Sequence, residues 1–181
     1  MDHTDFIVEI KNIIDPSFIE RVIPLIKQKA VNDLSIKIGV DKNIRNVKGY
    51  SLNFNTPTNL FYWNYIKKEI ERLYIYYKSK FPQMNSEKIN QIDLLKYSPG
   101  GKYEVHADHF TNAPRHLSII MNLNDEYEGG DLIFTDQREQ EIKRFKLSKG
   151  TIVFFPSNFM YPHSIQPITK GERYSIVAWL Q

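Results

Sequence analysis

The chain contains no cysteine. That excludes disulfides and thiolate metal sites. It has no run approaching ~18 apolar residues and no apolar N-terminal stretch preceded by positive charge, so neither a membrane span nor a secretion signal is expected. It also lacks a basic stripe. The net charge is +3, from 24 Lys and Arg against 21 Asp and Glu, with both signs interspersed. Such a balance argues against a nucleic-acid partner. There are no internal repeats, low-complexity tracts or linkers. With 25% charged and 41% hydrophobic residues over 181 positions, the composition is that of an ordered globular chain. The expectation is one domain over residues 1–181, monomeric and cytoplasmic.

Along the chain, Phe6–Ile10 reads as an opening strand. Asp15-Pro16 reads as a helix start, with Asp15 capping and Pro16 in the first turn, and Phe18, Ile19, Val22, Ile23 and Ile26 carry an apolar stripe to about Ala30. Residues 31–49 are polar and lysine-rich and read as a loop. Tyr50–Phe54 resembles a strand. Thr56-Pro57 opens a second helix, which continues at helical spacing through Leu60, Tyr65, Ile70, Leu73 and Tyr77 to about Lys80. From residue 91 onward the pattern changes. Short apolar segments (Ile92–Tyr97, Lys102–His109, Leu117–Leu123, Asp131–Phe134, Glu141–Leu147, Thr151–Phe155, His163–Ile168 and Arg173–Leu180) alternate with turn signals such as Ser98-Pro99-Gly100-Gly101, Gly129-Gly130 and Lys170-Gly171. That pattern predicts an antiparallel sandwich or barrel supported by two leading helices.

Within it, His106 and Asp108 are two apart near the end of a strand, so the period of two aims both side chains one way. Alone, His-x-Asp fits a surface pair or a buried ion pair equally well. His163 begins a later strand, where it could equally bond to backbone. Arg173 follows ten residues on, with Ser175 on the same face. Arg173 could hold a carboxylate by two parallel bonds or form a surface ion pair. Taken together, two histidines and one carboxylate suit Fe(II) that keeps positions open for further ligands.

The C-terminal half, from Leu94 to Trp179, resembles the iron- and 2-oxoglutarate-dependent dioxygenases, and among them the prolyl hydroxylases. The resemblance rests on Tyr97-Ser98-Pro99-Gly100-Gly101-Lys102-Tyr103-Glu104-Val105-His106-Ala107-Asp108, then Met121-Asn122-Leu123-Asn124, Glu128-Gly129-Gly130-Asp131-Leu132, Gly150–Pro156, Pro162–Pro167 and Arg173–Trp179, in that order. The last two segments resemble the hypoxia-sensing prolyl hydroxylases of animals and their bacterial relatives. Residues 1–90 carry no specific motif and are expected to supply helical support and a lid, formed by 31–49.

The resemblance implies a double-stranded β-helix, a jelly roll, over residues 91–181. It implies Fe(II) held by His106, Asp108 and His163, 2-oxoglutarate held at its far carboxylate by Arg173, O2 as oxidant, and ascorbate as an accompanying reductant. It also makes Tyr97 and Ser175 co-substrate contacts, and Arg115, Tyr103 and Trp179 contacts to a proline-bearing protein or peptide. Where the hypoxia-sensing enzymes have a second co-substrate tyrosine, this chain has Asn122. No acid or base is required beyond the metal ligands. Rival readings are oxidation of a small molecule or free amino acid by the same centre, and a non-catalytic metal-binding jelly roll; the intact Asp108 argues against the second. His109 is expected to face away from His106, His116 to lie beside Arg115, and His3 to sit in a loose terminus.

Overall fold

The computed structural model describes residues 2–34, 39–86, 88–109, 111 and 114–181. The chain opens with a 3-10 turn, His3–Phe6, followed by strand β1, Val8–Ile10. This terminus is tied down. Asp2 and Asp5 cap the turn reciprocally, the Tyr161 hydroxyl donates to the His3 carbonyl, and the Lys143 ammonium donates to the carbonyls of Thr4 and Ile7.

Helix α1, Pro16–Lys29, starts as its sequence dictates, with the Asp15 carboxylate accepting from the Ser17 amide at 2.7 Å. It runs through Pro24. A proline inside a helix costs about 3 kcal/mol. Val22, Leu25 and Ile26 are buried around it, each contributing about 1.5–3 kcal/mol, so packing wins. Next come β2, Asn32–Asp33; β3, Arg45–Asn46; and β4, Lys48–Ser51. Helix α2, Pro57–Lys80, is capped by the Thr56 hydroxyl on the Asn59 amide.

The remaining strands are β5, Ile89–Tyr97; β6, Lys102–His106; β7, Leu117–Asn122; β8, Tyr127–Gly129; β9, Leu132–Thr135; β10, Glu141–Phe145; β11, Thr151–Pro156; β12, His163–Ile165; β13, Ile168–Gly171; and β14, Arg173–Leu180. They form a seven-stranded antiparallel sheet in the order β1-β11-β7-β14-β5-β4-β2, a facing five-stranded sheet β10-β9-β12-β6-β3, and a small β13-β8 pair. This is the antiparallel β architecture with two helices that the strand spacing predicts, and the jelly roll that the resemblance implies.

Several details differ from the sequence reading, beginning with the strand expected at Tyr50–Phe54, which is displaced to Lys48–Ser51. Strand β6 stops at His106, leaving Asp108 and His109 beyond its end. The predicted strand His163–Ile168 breaks into β12 and β13 around Gln166-Pro167, since Pro167 has no N–H to donate. Strand β8 forms in a stretch whose residues predict turns. The described parts of 31–49 are not free loop: β2 pairs with β4 at the edge of one sheet, and β3 pairs with β6 at the edge of the other. The part of the predicted lid at 35–38 lies outside the described residues.

Alternation on the large sheet sorts the two cores. On β14, Tyr174, Ile176, Ala178 and Leu180 join Ile92, Leu94, Leu117, Ile119, Met121, Ile152 and Phe154 against the apolar faces of α1 and α2. Leu95, Tyr97, Ile120, Val153 and Phe155 point the other way, toward Leu132, Phe134 and Ile165 of the second sheet. The helices thus close one face and leave the inner face to line a cavity. Leu94 is fully buried while Leu60 is 45% exposed. Leu94→Ala should therefore lower unfolding free energy by about 3 kcal/mol and Leu60→Ala by under about 0.5 kcal/mol, as read from urea midpoints at constant slope.

Candidate metal and co-substrate site

His106 closes β6 and His163 opens β12, and the two are register partners across adjacent antiparallel strands. Asp108 lies two residues past β6, yet its carboxylate reaches the same point. His106 Nε2 is 3.5 Å from Asp108 Oδ1, and His163 Nε2 is 3.6 Å from Asp108 Oδ2. The ligand atoms of the three residues lie within 4.8 Å of one another, the one such convergence among the described residues. The structure brings the three residues named from the sequence together in space, and an irregular segment, not strand alternation, delivers Asp108.

Each imidazole is fixed from behind. His106 Nδ1 is 2.8 Å from the Glu104 carbonyl and His163 Nδ1 is 3.1 Å from the Tyr161 carbonyl. A carbonyl can only accept, so the Nδ1 atoms carry the protons and both Nε2 lone pairs face the gap. The Ser118 hydroxyl donates to Asp108 Oδ2 at 2.7 Å and is itself bonded to Ser157. Burial works to raise the Asp108 pKa. The pull of His163 and His106 and the Ser118 bond outweigh it and hold the carboxyl well below its usual range. Burial, reinforced by His106, pushes His163 down to about 4 against the opposing pull of Asp108. At neutral pH the trio is a carboxylate beside a neutral His163, the forms that bind a metal cation.

The cavity continues from these ligands along the inner face of β14. Arg173 is 1% exposed. Its Nε donates to Asn122 Oδ1 at 2.9 Å and its guanidinium sits 5.4 Å from the Tyr97 ring centre. Its Nη1 is buried with no partner, as is the Ser175 hydroxyl. Unpaired buried donors are costly unless a ligand completes them. Both line the same cavity as His106, Asp108 and His163, together with Tyr97, Tyr103 and Trp179. Burial keeps the Tyr97 and Tyr103 phenols neutral by raising both pKa values. The donor set therefore fits a divalent metal at one end and a small dianion reaching a buried guanidinium at the other.

Asn122, which replaces a tyrosine of the resembling enzymes, has a role of its own here. Its Nδ2 donates to the carbonyls of Asn124, Leu147 and Ser148, which orients Oδ1 to accept from Arg173 and from the Tyr127 hydroxyl. It is a brace for the arginine.

Of the predicted substrate residues, Tyr103 stacks on His106 with ring centres 3.6 Å apart, and Trp179 forms part of the wall. Arg115 stands outside the lining, over Trp179. His109 bonds to the Arg115 carbonyl and His116 to Ser86, both apart from the ligand cluster as expected. Two contributors escaped the sequence. Arg45 lines the cavity and lies 4.7 Å over Tyr103, but it comes from a polar stretch without periodicity. Ser118 is a serine in an apolar strand, and its inner-face parity with Ile120 was the available signal.

Residues 92–181 match the family model described as the 2OG-Fe(II) oxygenase superfamily. Among curated proteins, the chain is 34% identical over 98 residues to a PKHD-type hydroxylase of Prochlorococcus marinus, covering 52% of this chain and 42% of that one. It is 28% identical over 102 residues to a PKHD-type hydroxylase of Idiomarina loihiensis, covering 54% and 45%. The matches thus span less than half the length of these relatives. Among solved structures, a Pseudomonas putida prolyl-4-hydroxylase superposes with a TM-score of 0.78 at 17% identity, over 97% of this chain and 92% of that one. A Trichoplax adhaerens prolyl hydroxylase, solved with a peptide fragment of hypoxia inducible factor, gives 0.79 at 18%, over 98% and 84%. The structural likeness carries the fold from end to end. The sequence match falls on the half that builds the cavity, and through residues 92–181 the chain belongs to the 2OG-Fe(II) oxygenase superfamily.

Proposed function

We propose that this chain is an Fe(II)- and 2-oxoglutarate-dependent dioxygenase that hydroxylates a prolyl residue of a protein or peptide. The observation that carries the reading is a single cavity with the His106, Asp108 and His163 ligand atoms at one end and the unpartnered Nη1 of buried Arg173 in the same wall. The names of the similar proteins, PKHD-type hydroxylases and prolyl hydroxylases, supply the substrate class. The reading has the enzyme acting in the cytoplasm as a monomer.

In this account His106, Asp108 and His163 would hold the iron. When bound, iron and 2-oxoglutarate supply the oxidising power, coupling decarboxylation of the co-substrate to succinate and CO2 with insertion of one oxygen atom of O2 into a C–H bond; ascorbate serves as auxiliary reductant. Ser118 orients the carboxylate. Arg173, braced by Asn122, grips the far carboxylate of the co-substrate with help from Ser175 and Tyr97. Tyr103 and Trp179 frame the target ring, and the 31–49 region reaches the substrate through Arg45.

Asp108→Ala should abolish both Fe(II) binding and succinate formation, since two imidazoles remain without their charged partner. Arg173→Ala should weaken 2-oxoglutarate about a hundredfold while leaving metal affinity unchanged, because the site loses the cation that pairs a buried carboxylate. Arg173→Lys should recover part of the loss, the charge without the fork. Asn122→Leu keeps the branched heavy-atom shape but frees Arg173 Nε, and should weaken 2-oxoglutarate by about tenfold. Calorimetric titrations of metal and co-substrate check all four. The reaction itself is tested by mass spectrometry of proline-bearing peptides incubated with enzyme, Fe(II), ascorbate and 2-oxoglutarate. The proposal expects a gain of one oxygen on proline. Oxidation of a free amino acid without any peptide product would replace it with the small-molecule reading.

A further inference from the structure

Asp108 presents a difficulty that the two histidines do not. His106 and His163 sit on paired strands, but Asp108 lies in irregular chain past the end of β6. A metal ligand so placed needs its main chain held by something else. Arg115, seven residues on, does this. Its Nη1 donates to the Asp108 carbonyl at 3.2 Å, and its Nη2 donates to Gln91 Oε1 at 2.9 Å. The guanidinium carbon lies 3.7 Å from the Trp179 ring centre. Gln91 is fixed in turn, its Nε2 donating at 2.8 Å to Asp93, whose carboxylate also accepts from Ser51 at 2.6 Å.

Gln91, Trp179 and Ser118 are neighbours on one rung of the large sheet, Trp179 being the register partner of Gln91 on β5 and of Ser118 on β7. Ser118 bonds the Asp108 carboxylate, while Gln91 and Trp179 seat the arginine that bonds its carbonyl. One rung of three strands thus supports both ends of the residue. The next residue is tied as well, by the His109 amide on the Ser157 carbonyl and by His109 Nδ1 beside the Arg115 carbonyl.

We infer that Arg115 is a positioning residue for Asp108: it clips the ligand-bearing segment to β5 and β14, and its contribution to the reaction runs through metal affinity and not through contact with the substrate. The inference rests on the metal site proposed above and departs from the substrate role that the sequence resemblance implies for this arginine. Its guanidinium reaches both sides of the gap, one amino group on the irregular segment and one on the sheet. A lysine offers a single point of attachment and cannot bridge them.

The test titrates Co(II) into wild type, Arg115→Ala, Arg115→Lys and Gln91→Leu, following the visible d–d absorption. Amide exchange at His109 is measured in the same proteins without metal. Removal of a group that orients a metal ligand typically costs 10–100-fold in affinity. Arg115→Ala should therefore raise the Co(II) dissociation constant about tenfold, with Arg115→Lys recovering part of it. Gln91→Leu, which breaks the clip without altering the cavity wall, should move it the same way by about threefold. His109 exchange should quicken in the alanine and leucine variants, while the KM for a hydroxylated peptide stays within about twofold. Unchanged Co(II) affinity with unchanged exchange in Arg115→Ala, or a tenfold rise in peptide KM alone, overturns the assignment. If wild type takes up no Co(II), the metal reading fails separately. The clip is then decided by exchange alone: faster in both variants upholds it, unchanged rejects it. Should Arg115→Ala fail to fold, Gln91→Leu decides by the same two measurements.

Discussion

The site depends on one constraint, the two-residue alternation of β14 between a closed face and an open one. Tyr174, Ile176, Ala178 and Leu180 are committed to the helices, so Arg173, Ser175, Val177 and Trp179 must face the cavity. A slip of one residue would exchange the two sets. Pairing with β5 from Arg173 onward and with β7 from Ser175 onward forbids that slip, because both neighbours obey the same alternation. The N-terminal helices therefore do more than support. By fixing which face is core, they fix which face can hold a buried arginine.

Charge placement follows from burial. A guanidinium at 1% exposure is tolerable because Asn122, itself fully buried, accepts from its Nε and is held by three carbonyls of its own. Its Nη1, buried without a partner, is left for a ligand. Likewise Asp108 stays ionised despite burial because imidazoles and a hydroxyl surround it. Each of these buried polar groups is either supported by a neighbour or left with a donor that an anion would complete. That division separates scaffold from binding surface here.

Much of this was legible in the sequence, for physical reasons. Caps at Asp15 and Thr56, with prolines following, fixed both helix starts to the residue. The antiparallel β architecture followed from short apolar segments between turn residues, and the resemblance carried by the motifs narrowed it to a jelly roll. His106, Asp108, His163 and Arg173 could be named because their residue types and order carry the chemistry. What escaped depended on side-chain partners across strands. Arg45 comes from a stretch without apolar periodicity, and only its pairing with Tyr103 on β6 brings it to the cavity. Asn122 reads in sequence as a lost tyrosine, and only its bond to Arg173 reveals the brace. A strand drawn through to His109 overruns the end of β6, because alternation cannot say where pairing stops. Arg115 stands outside the cavity lining, and the bonds to the Asp108 carbonyl and Gln91 that hold it over Trp179 could not be read from its place in the sequence.

The central claim is that one cavity joins a metal held by His106, Asp108 and His163 to a dianion held by Arg173. The most direct test is a crystal of the protein grown with Mn(II) and 2-oxoglutarate, using anomalous scattering to locate the metal. The claim predicts one peak about 2 Å from both Nε2 atoms and an Asp108 oxygen, with the far carboxylate of 2-oxoglutarate on Arg173 Nη1. A metal bound through other atoms, or a co-substrate whose far carboxylate rests away from Arg173, would contradict it.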